Sequence, residues 1–319
     1  MKKVSLLQSI LLSLNVMLPV FLMILLGVFL QKIGLMPRNM IRDLNRLCFK
    51  CFLPVMLFNN VRETDFCQYF EWHLIGYAIF SVLLLFAVLM WLVPRIVRNP
   101  EQQSVMVQGI YRSNYVILGI PIVSNIYKGD NIATITMLIA IIVPLFNLLA
   151  VYLFEHFNGQ SRHDPWKMAG NIARNPLIIA TVLGMLYTLS GIQFPGFLEE
   201  TLTDLGSITI PLALLILGAD LDLNLQTTQV AYLAVVTVCK LLAVPLLFLP
   251  PAIFLGFRGQ ALASLLAMYA SPAAVSGYIM AQNENADYHL AGQIVVVTSL
   301  LSCFTLFIFI AVLHGLQLI

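Results

Sequence analysis

The sequence predicts an all-α membrane protein of ten transmembrane helices in two inverted five-helix repeats. Three observations predict it. Hydrophobic residues make up 60% of the 319 positions and charged residues 10%, against about 25% charged in soluble domains. The apolar residues fall in blocks of roughly 20, the length at which a helix rising ~1.5 Å per residue crosses ~30 Å of hydrocarbon. Prolines recur at matched places in the two halves.

Hydropathy places the spans at Ile10–Gln31, Leu44–Val61, Trp72–Val93, Ser104–Ile126 and Ile132–Phe154, then at Trp166–Leu189, Phe197–Ala219, Gln229–Leu249, Gln260–Ala281 and Tyr288–His314. Met1-Lys2-Lys3 before an apolar run has the look of a secretory signal. The run to Leu30 is too long for one, and no small-x-small cleavage site follows, so it reads as the first span. The second span carries Arg42, Arg46 and Lys50 in or before its N-terminal half. The longest polar connection, Glu155 to Pro165, is too short to fold alone. The expected organisation is therefore residues 1–157 as the first repeat, 158–165 as a cytoplasmic loop, and 166–319 as the second repeat, within one membrane unit.

Loop charge sets the expected orientation. With ten spans both termini share a side, which holds Lys2, Lys3, Arg62, Lys128 and Arg258. The other side holds Lys32, Arg38, Arg42, Arg95, Arg98, Arg162 and Lys167. The excess puts the 158–165 loop in the cytoplasm and both termini outside a plasma (cytoplasmic) membrane, with Lys2 and Lys3 against the trend.

The repeat is read from four prolines. Pro54 in span two and Pro211 in span seven are 157 residues apart; Pro121 in span four and Pro272 in span nine are 151 apart. Five spans per half is an odd number, so the second half is inverted. A proline inside a helix removes one donor and clashes with the preceding turn. Backbone groups freed that way cannot face lipid and must line a cavity or meet protein. Spans four and nine are also the most polar, with Arg112, Ser113, Asn114 and Tyr115 in one and Ser264, Tyr269, Ser271, Ser276 and Tyr278 in the other. Polar groups beside broken backbone are what a midplane ligand site requires. The plainer reading is two packing kinks.

The run Arg112-Ser113-Asn114-Tyr115-Val116-Ile117-Leu118-Gly119-Ile120-Pro121 resembles the fourth-helix signature of the auxin efflux carrier family, which includes the plant PIN carriers and bacterial permeases for malate or malonate. Asn175-Pro176 with Gly184 resembles its sixth helix, Pro211-Leu212-Ala213-Leu214 through Gly218-Ala219 its seventh, and Ser271-Pro272-Ala273-Ala274 its ninth. The resemblance covers essentially the whole chain, with the motifs in order. It implies that helices four and nine cross at their prolines beside the substrate, and that Asn114, Pro121 and Pro272 contact it. Tyr115, Gly119, Ser271, Ala273 and Ser276 complete the expected substrate-binding set. The long cytosolic loop of the plant carriers is reduced here to Glu155–Lys167, so its phosphorylation control does not carry over.

Charge within a span is expensive and directs attention to function. Lys50, Arg112 and Lys240 lie about 12–18 Å into their spans at helical rise. This positive excess favours an anionic substrate, against the alternative of side chains snorkelling to the interface. Arg42, Arg46 and Lys50 recur every four residues as one basic stripe suited, in its outer part, to anionic headgroups. Cys48 and Cys51 form a C-x-x-C with no second ligand pair, so no metal and no cofactor is expected. No catalytic ordering of Ser, His and Asp or phosphate loop occurs, and the protein is not expected to be an enzyme.

The expected function is a secondary carrier moving a small organic anion, a malate-like dicarboxylate or an auxin-like acid, by alternating access. A bile-acid/sodium-type carrier is the nearest alternative. It would need Asn, Gln and Glu near the breaks, and span nine has no acid before Glu284. A membrane-embedded enzyme would need convergent titratable groups, and a sensor a soluble signalling domain. Expected partners are the organic anion and the lipid bilayer, with a possible homodimer and no nucleic acid, since a net charge of +2 shows no basic groove.

Overall fold

The computed structural model describes residues 6–62, 71–115, 119, 123, 126–127, 133–158, 165–221 and 227–319. Its helices are α1 (Leu6–Lys32), α2 (Arg38–Leu47), α3 (Leu53–Arg62), α4 (Trp72–Ile96), α5 (Pro100–Tyr111), α6 (Ala133–Asn158), α7 (Pro165–Arg174) and α8 (Pro176–Ser190). They continue with α9 (Gly196–Ala219), α10 (Thr227–Val238), α11 (Val244–Phe254), α12 (Gly259–Ala270), α13 (Val275–Asn283) and α14 (Tyr288–Gly315). π-Helical turns at Cys48–Phe52 and Cys239–Ala243 join α2 to α3 and α10 to α11. Among the described residues there is no β-strand. Trp72–Ile96, Thr134–Phe157, Gly196–Ala219, Gln229–Phe254 and Tyr288–Gly315 are long and apolar enough to cross a membrane by length and composition. Leu18–Lys32, Pro176–Ser190 and Gly259–Ala270 are shorter apolar helices.

Five of the expected spans, one, three, five, seven and ten, run as single helices, and some of the interruptions in the others have local causes. Span six is divided at Asn175, whose side chain accepts from the Leu177 amide at 3.0 Å and caps α8, with Pro176 in its first turn. The same Asn-Pro device starts α5, where Asn99 accepts from the Glu101 amide. Pro211, by contrast, does not interrupt its span, because α9 runs through it from Gly196 to Ala219. Packed neighbours can re-satisfy the one carbonyl a proline frees. Pro54 follows directly on the first π turn.

Two groups of helices result, each drawn from both halves of the sequence. In one, α1 packs along α9, α3 along α8, and α3 against α9. Gly27 and Gly218 allow the first contact, since a Cβ on either would collide with the carbonyl of Leu215 or Ile24 on the facing helix. Lipid offers no hydrophobic drive between helices, so such close small-residue approach supplies the dispersion contact instead. In the other group α4, α5, α6, α10–α11, α12, α13 and α14 surround one another. The groups meet where α1 touches α14, where α9 and α2 touch α13, and where α6 touches α3 and α8. Large apolar side chains point outward, among them Leu25 and Phe29 on α1, Phe80 and Trp91 on α4, and Leu186 on α8. A water-exposed surface does not present such a belt.

Candidate functional site

Two helices stop short inside this second group. α5 ends at Tyr111, Arg112 to Asn114 are extended, and helical geometry resumes at Tyr115. α12 ends at Ala270, and the stretch to Ala274 is extended before α13 begins. Pro272 forces the second break locally, since the residue before a proline is driven out of helical geometry and Ser271 sits at φ −64°, ψ 147°. The two extended stretches pair. Ser113 and Ala273 form an antiparallel bridge, and the Asn114 amide donates to the Pro272 carbonyl at 2.8 Å.

The break in span four thus precedes Asn114 by position, whereas the sequence suggested a kink at Pro121. Pro121 itself lies outside the described residues. Amides freed at the breaks are also not all available. The Asn114 amide is used by Pro272, and the Ala273 amide donates to Thr298 Oγ1 at 3.1 Å. Buried amides take whatever acceptor is near.

Consecutive extended residues face opposite sides, and here they meet different cations. On one side the Arg112 guanidinium, 4% exposed, donates to Asn147 Oδ1 at 2.6 Å, Ser276 Oγ at 2.9 Å and Met280 Sδ at 2.8 Å. On the other, Ser113 Oγ donates to the Met268 carbonyl at 2.5 Å and accepts from Lys240 Nζ. Lys240 stands on the second π turn and is fully buried. Among the described residues neither cation has a carboxylate partner, and the ion pair found there is the distant Arg62–Glu199. Cavities of about 10 Å³, each room for one water, flank the crossing beside Arg112 and beside Lys240.

The other expected site residues fall as follows. Asn114 is buried at 7% exposure, and its side-chain amide makes no hydrogen bond among the described residues. The Tyr115 hydroxyl is buried and unpartnered there too. Gly119 packs on the Tyr115 ring and Ile135, so it shapes Tyr115 from behind. Ser271 Oγ donates back to the Ala267 carbonyl at 2.5 Å, and Ser276 is tied to Arg112. Lys50 is not brought to the crossing cations; it is exposed with Arg42 and Arg46 on the stripe over α2 and the first π turn. Sequence reasoning missed Asn147, Thr298 and Met280. Asn147, a fully buried amide in an otherwise apolar stretch of α6, was the findable one.

Two larger cavities lie at opposite ends of α9. One, of about 740 Å³, is lined by Arg62, Tyr187, Glu199, Glu200 and Asp204 near the helix start. The other, of about 620 Å³, is lined by Lys32, Arg38, Arg42, Asp220, Gln282 and His289 near its end. There Asp220 Oδ2 accepts from Tyr278 Oη at 2.9 Å and Gln282 Nε2 at 3.1 Å. Burial pushes the Asp220 carboxyl above the usual carboxylate range, opposed by the Tyr278 hydrogen bond and by His289, Arg38 and Arg42.

The profile of the family described as membrane transport protein matches residues 12–169 and 165–310. The chain belongs to that family. It is the auxin efflux carrier family that the helix motifs resemble, and that expectation is borne out. An uncharacterized transporter of Methanothermobacter thermautotrophicus is 22% identical over 296 residues, spanning 92% of this chain and 96% of the relative. As a member of this transporter family with several spanning-length apolar helices, the protein is a multi-pass membrane protein.

Proposed function

We propose that this member of the family is a secondary carrier for a small organic anion, working by alternating access. The observation that carries the reading is the pair of buried cations, Arg112 and Lys240, set on either side of the crossing without a carboxylate partner among the described residues. An uncompensated buried charge costs several kcal/mol, so it persists where something anionic comes to meet it. The substrate site takes in Asn114, Tyr115, Gly119, Pro121, Ser271, Pro272, Ala273 and Ser276, with Arg112 and Lys240 as field sources and Lys50 outside it. α13 starts there with no side-chain cap, so its positive end adds to the field. The two end cavities, on opposite ends of α9, suit access from either side.

In this reading residues 1–157 and 166–319 are inverted five-helix repeats of a ten-span carrier in the cytoplasmic membrane, with both termini outside. Uptake of radiolabelled organic acids into proteoliposomes, with and without imposed proton or sodium gradients, tests it. Saturable uptake of an acid, competed by other anions and not by neutral analogues, is expected; uptake indifferent to substrate charge overturns the reading. Cysteines introduced at Lys167 and Gln317 test the orientation. The first should react only with reagent on the cytoplasmic face and the second only on the outer face. Reaction of both from one face would mean an odd number of crossings between them has been miscounted.

A further inference from the structure

The cavity of about 620 Å³ has a composition that its place in the fold does not require. Among its lining residues Lys32, Arg38 and Arg42 are cationic, His289 adds an imidazole, and Asp220 is the one acid. That acid is already engaged, with one oxygen accepting from both Tyr278 and Gln282. Two buried polar atoms beside it, Gln282 Oε1 and His289 Nδ1, have no partner among the described residues. Asp220 caps the end of α9 in one helix group, while Tyr278 and Gln282 belong to α13 in the other. Tyr278 also lines the small cavity beside Arg112. It therefore stands between the vestibule and the crossing.

We propose that this vestibule is an entry subsite for the carboxylate of the transported acid, and that Asp220 occupies the place such a carboxylate takes. The inference rests on the anion-carrier reading above. An incoming carboxylate meets the cations of α1 and α2 and the imidazole of α14, then competes with Asp220 for the Tyr278 hydroxyl and the Gln282 amide. Displacing Asp220 does two things at once. It passes the acid to Tyr278, next to Arg112, and it releases a tie between the helix groups. The opposite vestibule, with Glu199, Glu200 and Asp204 against Arg62, has no matching set, so the subsite acts on one face.

The experiment uses malate as probe and protein in phosphatidylcholine proteoliposomes, so no headgroup competes as an anion beyond the neutral lipid. Initial rates are measured separately from each face. Arg38→Gln with Arg42→Gln should raise KM about tenfold at the vestibule face, the loss of roughly one charge-assisted contact, and leave KM at the other face unchanged. Asp220→Asn should lower KM at that face severalfold, by removing the resident competitor, and leave the other face unchanged. Equal shifts at both faces, or a raised KM in Asp220→Asn, overturn the subsite. Calorimetric titration of malate into Asn114→Ala separates this from the carrier reading. Weak binding that survives there and is lost with the two arginine changes supports the subsite even where transport fails. No binding there overturns the subsite and leaves the crossing untouched. Tyr278→Phe, which keeps the ring, should act like Asp220→Asn in loosening the tie but raise KM at the vestibule face.

Discussion

Lys240→Met should leave the protein as thermally stable as wild type or more so, while weakening anion binding about tenfold. The two effects have opposite origins. Lys240 is fully buried on its π turn, and its described partner is one hydroxyl, Ser113 Oγ. Desolvating an ammonium costs several kcal/mol, and replacing a buried ion by an apolar side chain of similar volume is often neutral or stabilising by about 1–4 kcal/mol. Methionine keeps the length of the stem and fills irregular space well. What it removes is one of the two charges proposed to meet the anion, and a tenfold loss corresponds to about 1.4 kcal/mol. Melting in detergent and equilibrium binding of the best organic acid check both halves. A large fall in melting temperature would show that Lys240 serves mainly to hold Ser113 in the crossing.

The helices were legible because lipid makes them so. Each needs a long apolar run, and the runs Trp72–Val93, Phe197–Ala219 and Tyr288–His314 fall almost on α4, α9 and α14. Departures from a continuous helix were legible only where residue chemistry causes them. Ser271-Pro272 breaks span nine as expected, and Asn175-Pro176 could have been read as a cap followed by a first-turn proline. The π turns at Cys48–Phe52 and Cys239–Ala243 have no such signature, because an extra residue per turn is fixed by packing and not by side-chain preference.

The crossing was half legible for the same reason. Its residue types stood out, since Arg112, Asn114 and Lys240 are costly in a membrane. Their partners did not, because hydrogen bonds between distant spans leave no periodic trace. Arg112 joins Asn147 and Ser276, 35 and 164 positions away. The relation of Arg112 to Asn114 was not legible either, because the break between α5 and Tyr115 carries no proline of its own. In the extended stretch they share a side by alternation, with Ser113 opposite.

Asn114→Ala should cost ten- to a hundredfold in affinity for the acid without disturbing the fold. The stability half follows from what the residue does with its backbone. Its amide holds the Pro272 carbonyl, and alanine keeps that bond. Its side-chain amide makes no hydrogen bond among the described residues, so truncation leaves no partner stranded. The binding half follows from what the side chain is free to do. An amide donating to a carboxylate in a site closed to water makes a bond worth about 1.5–3 kcal/mol, or roughly ten- to a hundredfold in binding. Asn114→Asp sharpens the test. It keeps the shape, removes the donor and adds a negative charge on the Arg112 side of the crossing, so it should bind the acid more weakly than alanine does. Equilibrium binding to monodisperse protein is the measurement. Unchanged affinity in Asn114→Ala removes the residue from the site. Tighter binding of a neutral analogue than of the acid would remove the anion from the proposed function.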